Sequence, residues 1–381
     1  MIGPTLRVGV VGLGYWGPNL VRNFHDVPNV DVAWICDLRE ERLEQLGRRY
    51  PAVRRTTDFG DLLSDDGLDA IAIASPVGTH YALAAAALRS GKHVFVEKPL
   101  AASAAEGSAL VRMAEAHGLI LMPGHTFLYS PPVNLIRELI VSGALGDLYF
   151  ISMSRVNLGL HQPDVSVVWD LAPHDFSILR YWLGEMPTRV TAMSRCCVLP
   201  DMPDVAFINL EFPSRTIAHV ELSWLAPSKL RRTTIVGTEK MVVYDDTSNE
   251  PVRVYDSGVD MPDPLSFGEY KLSYRTGDVI SRHLPPAEPL YLELEDFCTA
   301  IRTGTEPRSN GEIGLAVVRM IEAVDDALLQ NGVPSESALD RHAIRDAYAS
   351  RDTVATNGAH DRRVGAGSNV ERVPAPAAPT A

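Results

Sequence analysis

Over the first 125 residues, short β-branched apolar runs alternate with stretches whose apolar positions recur at helical spacing, the pattern of a parallel sheet wrapped by helices. The strand candidates are "RVGVVGL", "VDVAWICD", "AIAIAS", "HVFVEK" and "LILMPGH". Between them "EERLEQLGRRY", "YALAAAALRSG" and "SAAEGSALVRMAEAHG" read as helices, the last two closing on Gly91 and Gly118 as C-caps. Beyond residue 125 the texture changes. A helical "VNLIRELIVSG" leads into longer alternating runs, "LYFISMSRVNL", "TRVTAMSRCCV", "VAFINLEF", "TIAHVELSWL" and "RRTTIVGTEKMVVYD", which predict a mostly antiparallel sheet. Two late helical segments, "LYLELEDFCTAIRTG" and "GEIGLAVVRMIEAVDDALLQNG", are expected to pack near the first domain. The pattern thus predicts a doubly wound α/β domain over residues 1–125, an α+β domain over 126–350, and a tail over 351–381 that is polar, aperiodic and expected to be disordered.

Composition narrows the function classes. A length of 381 residues favours two to three domains, and 46% hydrophobic content gives ample material for their cores. Its formal charge of -13, with no basic stripe, argues against nucleic acid or an anionic membrane as partner and favours a small molecule. The N-terminus "MIGPTLRVGVVGLG" runs straight into strand-like sequence without a signal-peptide pattern, and no apolar run is long enough to span a bilayer, so a cytoplasmic location is expected. Cys36, Cys196, Cys197 and Cys298 lack metal-ligand spacing, so no metal site is expected.

The strongest local motif is "GVVGLGYWGPNLVRNF". Gly12, Gly14 and Gly17 form GxGxxG between a strand and a helix, where the turn is tight and the backbone must approach a pyrophosphate closely enough for helix N-terminal amides to bind it. Tyr15 and Trp16 complete this candidate cofactor loop. The second strand ends at Asp37, where a carboxylate accepts hydrogen bonds from the ribose hydroxyls of NAD and repels a 2′-phosphate. NAD is therefore expected over NADP, with Arg39 and Arg42 nearby weighing the other way.

Two further clusters suggest acid–base chemistry. "HVFVEKPL" ends a fifth strand on Glu97 and Lys98, at the sheet edge where doubly wound folds bind ligands, and "ASPVGTH" brings Ser75, Pro76, Thr79 and His80 to the same rim. A lysine held there can favour the alkoxide-like form of a substrate hydroxyl, and Glu97 can restrain that ammonium or a cofactor ribose; a solvated Glu-Lys pair is the plainer alternative. "VVWDLAPHDFSILRYWLG" reads as a helix carrying Asp170 and His174 at i and i+4, close enough for the carboxylate to orient the imidazole, although Asp170 could equally cap the helix. Arg155, Asn157 and His161 precede this helix and His125 ends the sixth strand, which makes them candidate substrate-pocket residues.

On "GVVGLGYWGPNL", "ASPVGTH", "VEKPL" and "WDLAPHD", in order over residues 5–335, the sequence resembles the glucose-fructose oxidoreductase, inositol dehydrogenase and MocA family of NAD(P)-dependent oxidoreductases. The resemblance implies a Rossmann domain and a C-terminal α+β domain whose large open sheet makes homodimer or homotetramer contacts. It implies catalytic roles for Lys98, Asp170 and His174, with a lysine–proline bond that is often cis. Family members often carry a Gly-Gly pair before the aspartate and another Asp three residues after the histidine. Here Val168 and Trp169 precede Asp170, Asp175 follows His174 directly, and Ser177 stands at the later position, so inositol ligands do not transfer directly. "RVNLGLHQPDVSVVWDLAPHD" looks closer to the branch acting on nucleotide-linked amino sugars and related pyranosides. The expected reaction is reversible oxidation of a secondary hydroxyl on a sugar, with C3 the leading position. The rivals are an inositol dehydrogenase, a glycosidase that oxidises C3 transiently with bound NAD, and a non-catalytic dinucleotide sensor.

Overall fold

A computed structural model describes residues 5–159, 161, 165–260 and 272–331. The chain begins β1 (Leu6–Val11), α1 (Gly17–Asp26), β2 (Val30–Cys36), α2 (Glu40–Arg49), β3 (Arg54–Thr56), α3 (Phe59–Ser64), β4 (Ala70–Ile73), α4 (His80–Arg89), β5 (His93–Glu97), α5 (Ala104–His117) and β6 (Leu121–Gly124). These strands form a parallel sheet in the order β3-β2-β1-β4-β5-β6. Its centre is buried on both faces, which is why β4 and the middle of β5, Val94 to Val96, read as unbroken apolar runs rather than alternating ones. Local signals fix helix ends: Ser103 caps α5 by accepting from the Glu106 amide at 3.2 Å, and Gly118 closes it at φ 63°. No run marks β3 or α3, because Arg-Arg-Thr carries no apolar periodicity and α3 is only six residues long, although counting "HVFVEK" as the fifth strand leaves a place for β3.

There follow α6 (Pro131–Val141), β7 (Leu148–Leu158), α7 (Val167–Leu183), β8 (Arg189–Arg195), β9 (Val205–Glu211), β10 (Ile217–Ser223), β11 (Leu225–Gly237), β12 (Met241–Asp245), β13 (Val252–Asp260) and β14 (Ser273–Ser281). Among the described residues they form a second sheet ordered β14-β13-β12-β11-β7-β10-β9-β8, antiparallel except for the β7–β10 pair. One face is buried under α6 and α7, with Phe176, Leu179 and Trp182 in the core. The alternating run "RRTTIVGTEKMVVYD" is a hairpin of β11 and β12: the Gly237 amide donates to the Lys240 carbonyl and the chain reverses. β14 is an exposed edge whose polar sequence hides its strand character.

The last two helices, α8 (Pro289–Thr303) and α9 (Gly311–Asn331), return to the first sheet. Leu290, Leu294, Phe297 and Cys298 of α8 join the core on one side of it, with Phe297 packed edge-on against Phe24 and Phe95. Leu315 and Val318 of α9 enter the core on the other side, whereas Val317, Ile321 and Val324 of the same helix enter the core of the second sheet. The two layers are thereby clamped together. Residues 332–350, assigned from sequence to the second domain, and the expected tail 351–381 lie outside the described residues.

Candidate active site

The glycine loop is built for close approach. Gly12 sits at φ +87°, and a Cβ there would lie 2.5 Å from the Ala74 carbonyl oxygen; one on Gly17 would lie 2.0 Å from the Gly12 oxygen. Gly14 faces open space except for Arg42 Nη1 at 4.0 Å, leaving a cradle before α1 that a diphosphate fits. Asp37, buried at the end of β2, accepts from the Leu13 amide at 2.6 Å, the Arg39 amide at 2.9 Å and Arg42 Nη1 at 3.3 Å. Tyr15 is almost fully exposed beside Trp16, edge to face at 5.4 Å.

On the rim after β4, Ser75 Oγ and Thr79 Oγ1 bond at 2.7 Å, and Thr79 also donates to the Pro76 carbonyl. His80 faces inward instead: its ring nitrogens meet the carbonyls of Pro99 and Ser75 at 2.8 and 2.9 Å, so it braces the backbone that carries Lys98. The Lys98–Pro99 peptide is cis.

A cavity of about 400 Å³ opens between the two sheets, lined by Trp16, Glu97, Lys98, Thr126, Phe127, His174, Arg231 and Glu288 among others. Lys98 Nζ crosses to α7 and donates to the Asp170 carbonyl at 2.7 Å and to Asp170 Oδ1 at 3.1 Å. Asp170 Oδ2 accepts from the Trp224 indole at 3.2 Å. The carboxylate is thus committed to Lys98 and Trp224, and the Asp170–His174 pairing expected from i,i+4 spacing does not form: the backbone puts both on one face, but an ammonium in reach outcompetes a neutral ring. His174 lies edge-on to Phe127 at 5.1 Å, with a buried Nδ1 that has no hydrogen-bond partner. Burial, helped by Lys98, Arg155, His125 and Arg231, holds its pKa well below the ordinary histidine value, so the ring is neutral near neutral pH.

The remaining candidates stand behind or beside this cavity. His125 is buried next to Lys98 with neither ring nitrogen bonded, and burial pushes its pKa down to about 3. Arg155 is buried in a bidentate pair with Asp175, both bonds 2.8 Å, and its guanidinium covers the Phe127 ring. Asn157 is half-buried near the end of β7. His161 lies 3.6 Å from buried Asp204 and edge-on to Trp224. Sequence reasoning missed Trp224, Thr126, Phe127, and the Arg231–Asp246 and Arg22–Glu288 pairs that flank the cavity. No local motif marks them. Arg231 arrives by pairing opposite Arg155 in the β11–β7 register, and Glu288 by the return of the chain to α1.

A family model described as an oxidoreductase family with an NAD-binding Rossmann fold matches residues 6–125, and the GFO/IDH/MocA C-terminal domain matches residues 133–243. The chain belongs to the Gfo/Idh/MocA oxidoreductase family. Its Rossmann domain is of the NAD-binding type, in keeping with the open cradle at Gly14 and the carboxylate of Asp37. Among curated members, scyllo-inositol 2-dehydrogenase (NAD(+)) of Bacillus subtilis (strain 168) is 26% identical over 88% of this chain and 97% of its own. UDP-N-acetylglucosamine 3-dehydrogenase of Acidithiobacillus ferrooxidans is 25% identical over 85% of this chain and 99% of its own. The crystal structure of GenD2 from gentamicin A biosynthesis, in complex with NAD, shares the fold at TM-score 0.73 and 24% identity, over 87% of this chain and 96% of that one. Among the described residues no helix is long and apolar enough to cross a membrane, and no cluster of metal-ligating side chains occurs.

Proposed function

We propose that this Gfo/Idh/MocA oxidoreductase reversibly oxidises a secondary hydroxyl, at C3, of a pyranoside such as a sugar nucleotide or an aminosugar-containing metabolite. The observation that carries the reading is the contact of Lys98, from the first sheet, with Asp170 of α7 at 2.7 and 3.1 Å, on the cavity that His174 also lines. The cofactor supplies the hydride acceptor. Lys98, held by Asp170, donates to the reacting oxygen and stabilises its developing negative charge. His174, neutral and lining the cavity, takes the hydroxyl proton. Asp37 holds the adenosine ribose and disfavours a 2′-phosphate. The likeness to UDP-N-acetylglucosamine 3-dehydrogenase supports the position of attack. A cyclitol is the second reading, favoured by the similar match to scyllo-inositol 2-dehydrogenase. Exposed Met193, Phe207, Phe150 and Ile217 on the second sheet support assembly into a homodimer or homotetramer through that face.

Incubation with NAD and a panel of sugar nucleotides, aminoglycosides and inositols, followed by NADH absorbance and product mass, tests the reading. A ketone product formed mole for mole with NADH is expected. Bond cleavage without net NADH would replace the dehydrogenase with a glycosidase, and no turnover on any hydroxylated ring would overturn both.

A further inference from the structure

The connection from β10 to β11 has to cross the end of β7, because β7 lies between those two strands in the sheet. A single residue makes the crossing. Trp224 stands between Ser223, the last residue of β10, and Leu225, the first of β11. Its amide donates to the Asp204 carbonyl at 3.0 Å, and its carbonyl accepts from the Gly159 amide at 2.9 Å, just past β7. A Cβ on Gly159 would lie 2.5 Å from Trp224 Cδ1 and 3.0 Å from Cγ, so the indole packs where a side chain would otherwise stand. The His161 ring meets the indole edge-on, 5.3 Å from centre to centre. Only 1% exposed, Trp224 is thus held by its backbone and by its ring.

This fixed indole is aimed at the acid–base residues. Its Nε1 donates to Asp170 Oδ2 at 3.2 Å, while Oδ1 of the same carboxylate accepts from Lys98 Nζ at 3.1 Å. A carboxylate turns readily about its last torsion, so an aspartate with one partner can offer it either oxygen. An indole N–H and an ammonium are donors only, and here each takes its own oxygen, which fixes the plane of the carboxylate. We propose that Trp224 is a positioning residue for the oxidation: by holding Oδ2 it orients Asp170 so that Oδ1 and the Asp170 carbonyl together place the Lys98 ammonium at the reacting oxygen. Those two acceptors, 3.1 and 2.7 Å from Nζ, use two of the three ammonium hydrogens and leave one for the substrate. Lys98 lines the cavity and Trp224 does not, so the indole acts on the reaction through Asp170. Without it the carboxylate can turn, and the ammonium follows.

This inference rests on the dehydrogenase reading, in which Lys98 stabilises charge on the reacting oxygen. The test is the initial rate of NADH formation by the full chain with the fastest substrate of the same panel, with NAD affinity measured by calorimetry. Trp224→Phe keeps a buried ring and removes the donor; it should lower kcat about tenfold, as loss of a hydrogen bond to a charged group does, and change the NAD dissociation constant less than about twofold. In an Asp170→Asn background, where no carboxylate is left to orient, the same substitution should lower kcat less than about twofold further. Gly159→Ala, which presses on the indole without removing it, should repeat both results and carries the test if Trp224→Phe does not fold. In proton–nitrogen spectra the Trp224 indole signal should move upfield in Asp170→Asn, because a charged acceptor has been replaced by a neutral one. Equal losses of kcat with and without the Asp170 carboxylate would make Trp224 a packing residue and overturn the proposal, as would an unchanged kcat in Trp224→Phe or a stationary indole signal. A wild-type protein that oxidises no ring of the panel would instead remove the dehydrogenase reading, and this role with it.

Discussion

Replacing Lys98 with methionine removes the ammonium while keeping the length of the side chain, and its effect can be worked from the site. A reacting oxygen about 3 Å from Nζ gains about 5.5 kcal/mol per unit charge at an effective dielectric of about 20. Asp170, bonded to the far side of Nζ at 3.1 Å, stands roughly 6 Å from that oxygen and opposes the gain by about 2.8 kcal/mol. The difference, about 2.7 kcal/mol, amounts to about a hundredfold in kcat. Lys98 is only 14% exposed, so bulk water does little to screen the interaction. The assay is initial NADH formation with the best substrate of the panel, alongside the dissociation constant of NAD from quenching of tryptophan fluorescence. Methionine leaves Asp170 with the Trp224 indole as partner, so the fold is expected to persist. A fall in kcat smaller than about fivefold, or a loss of NAD affinity that matches the loss of kcat, would refute the assignment of Lys98 to the reacting oxygen.

Three other perturbations test the surroundings. Arg155→Met strands the buried Asp175 carboxylate and should cost about 3–5 kcal/mol in urea denaturation, much of it restored in the Arg155→Met/Asp175→Leu double variant. Asp37→Ser frees Arg42 from its carboxylate, so NAD should bind about tenfold more weakly while NADP tightens, read by fluorescence titration; unchanged NAD affinity would dismiss the ribose role. His125 is neutral in the native state down to about pH 3 but takes up a proton near pH 6.5 when unfolded, so it lowers stability as pH falls below 6.5. Relative to His125→Phe, the wild type should lose roughly 1.4 kcal/mol per pH unit between pH 6 and 5 in urea melts, a comparison that cancels the opposite trend of buried Glu97.

Most of the first sheet was legible because its instructions are local. Gly12 and Gly17 stand where no side chain fits, and β1, β4 and β5 are apolar on both faces, so motif and periodicity agree. Lys98, Asp170 and His174 were legible as residues, but not as partners. The i,i+4 rule places Asp170 and His174 on one face and is silent on what approaches that face from another layer, which here is Lys98. Arg231 and Glu293 carried no signal at all, because a charged residue in a strand or helix usually faces water, and only the assembled layers place one on the cavity and bury the other.

The return of α8 governs the order in which this protein can be made. A nascent chain ending at β6 has every strand of the parallel sheet, yet the surface around Phe24 and Phe95 waits uncovered until Phe297 has left the ribosome. The N-terminal half is therefore expected to need protection from aggregation during synthesis, and fragments that stop short of residue 298 should be poor candidates for expression on their own.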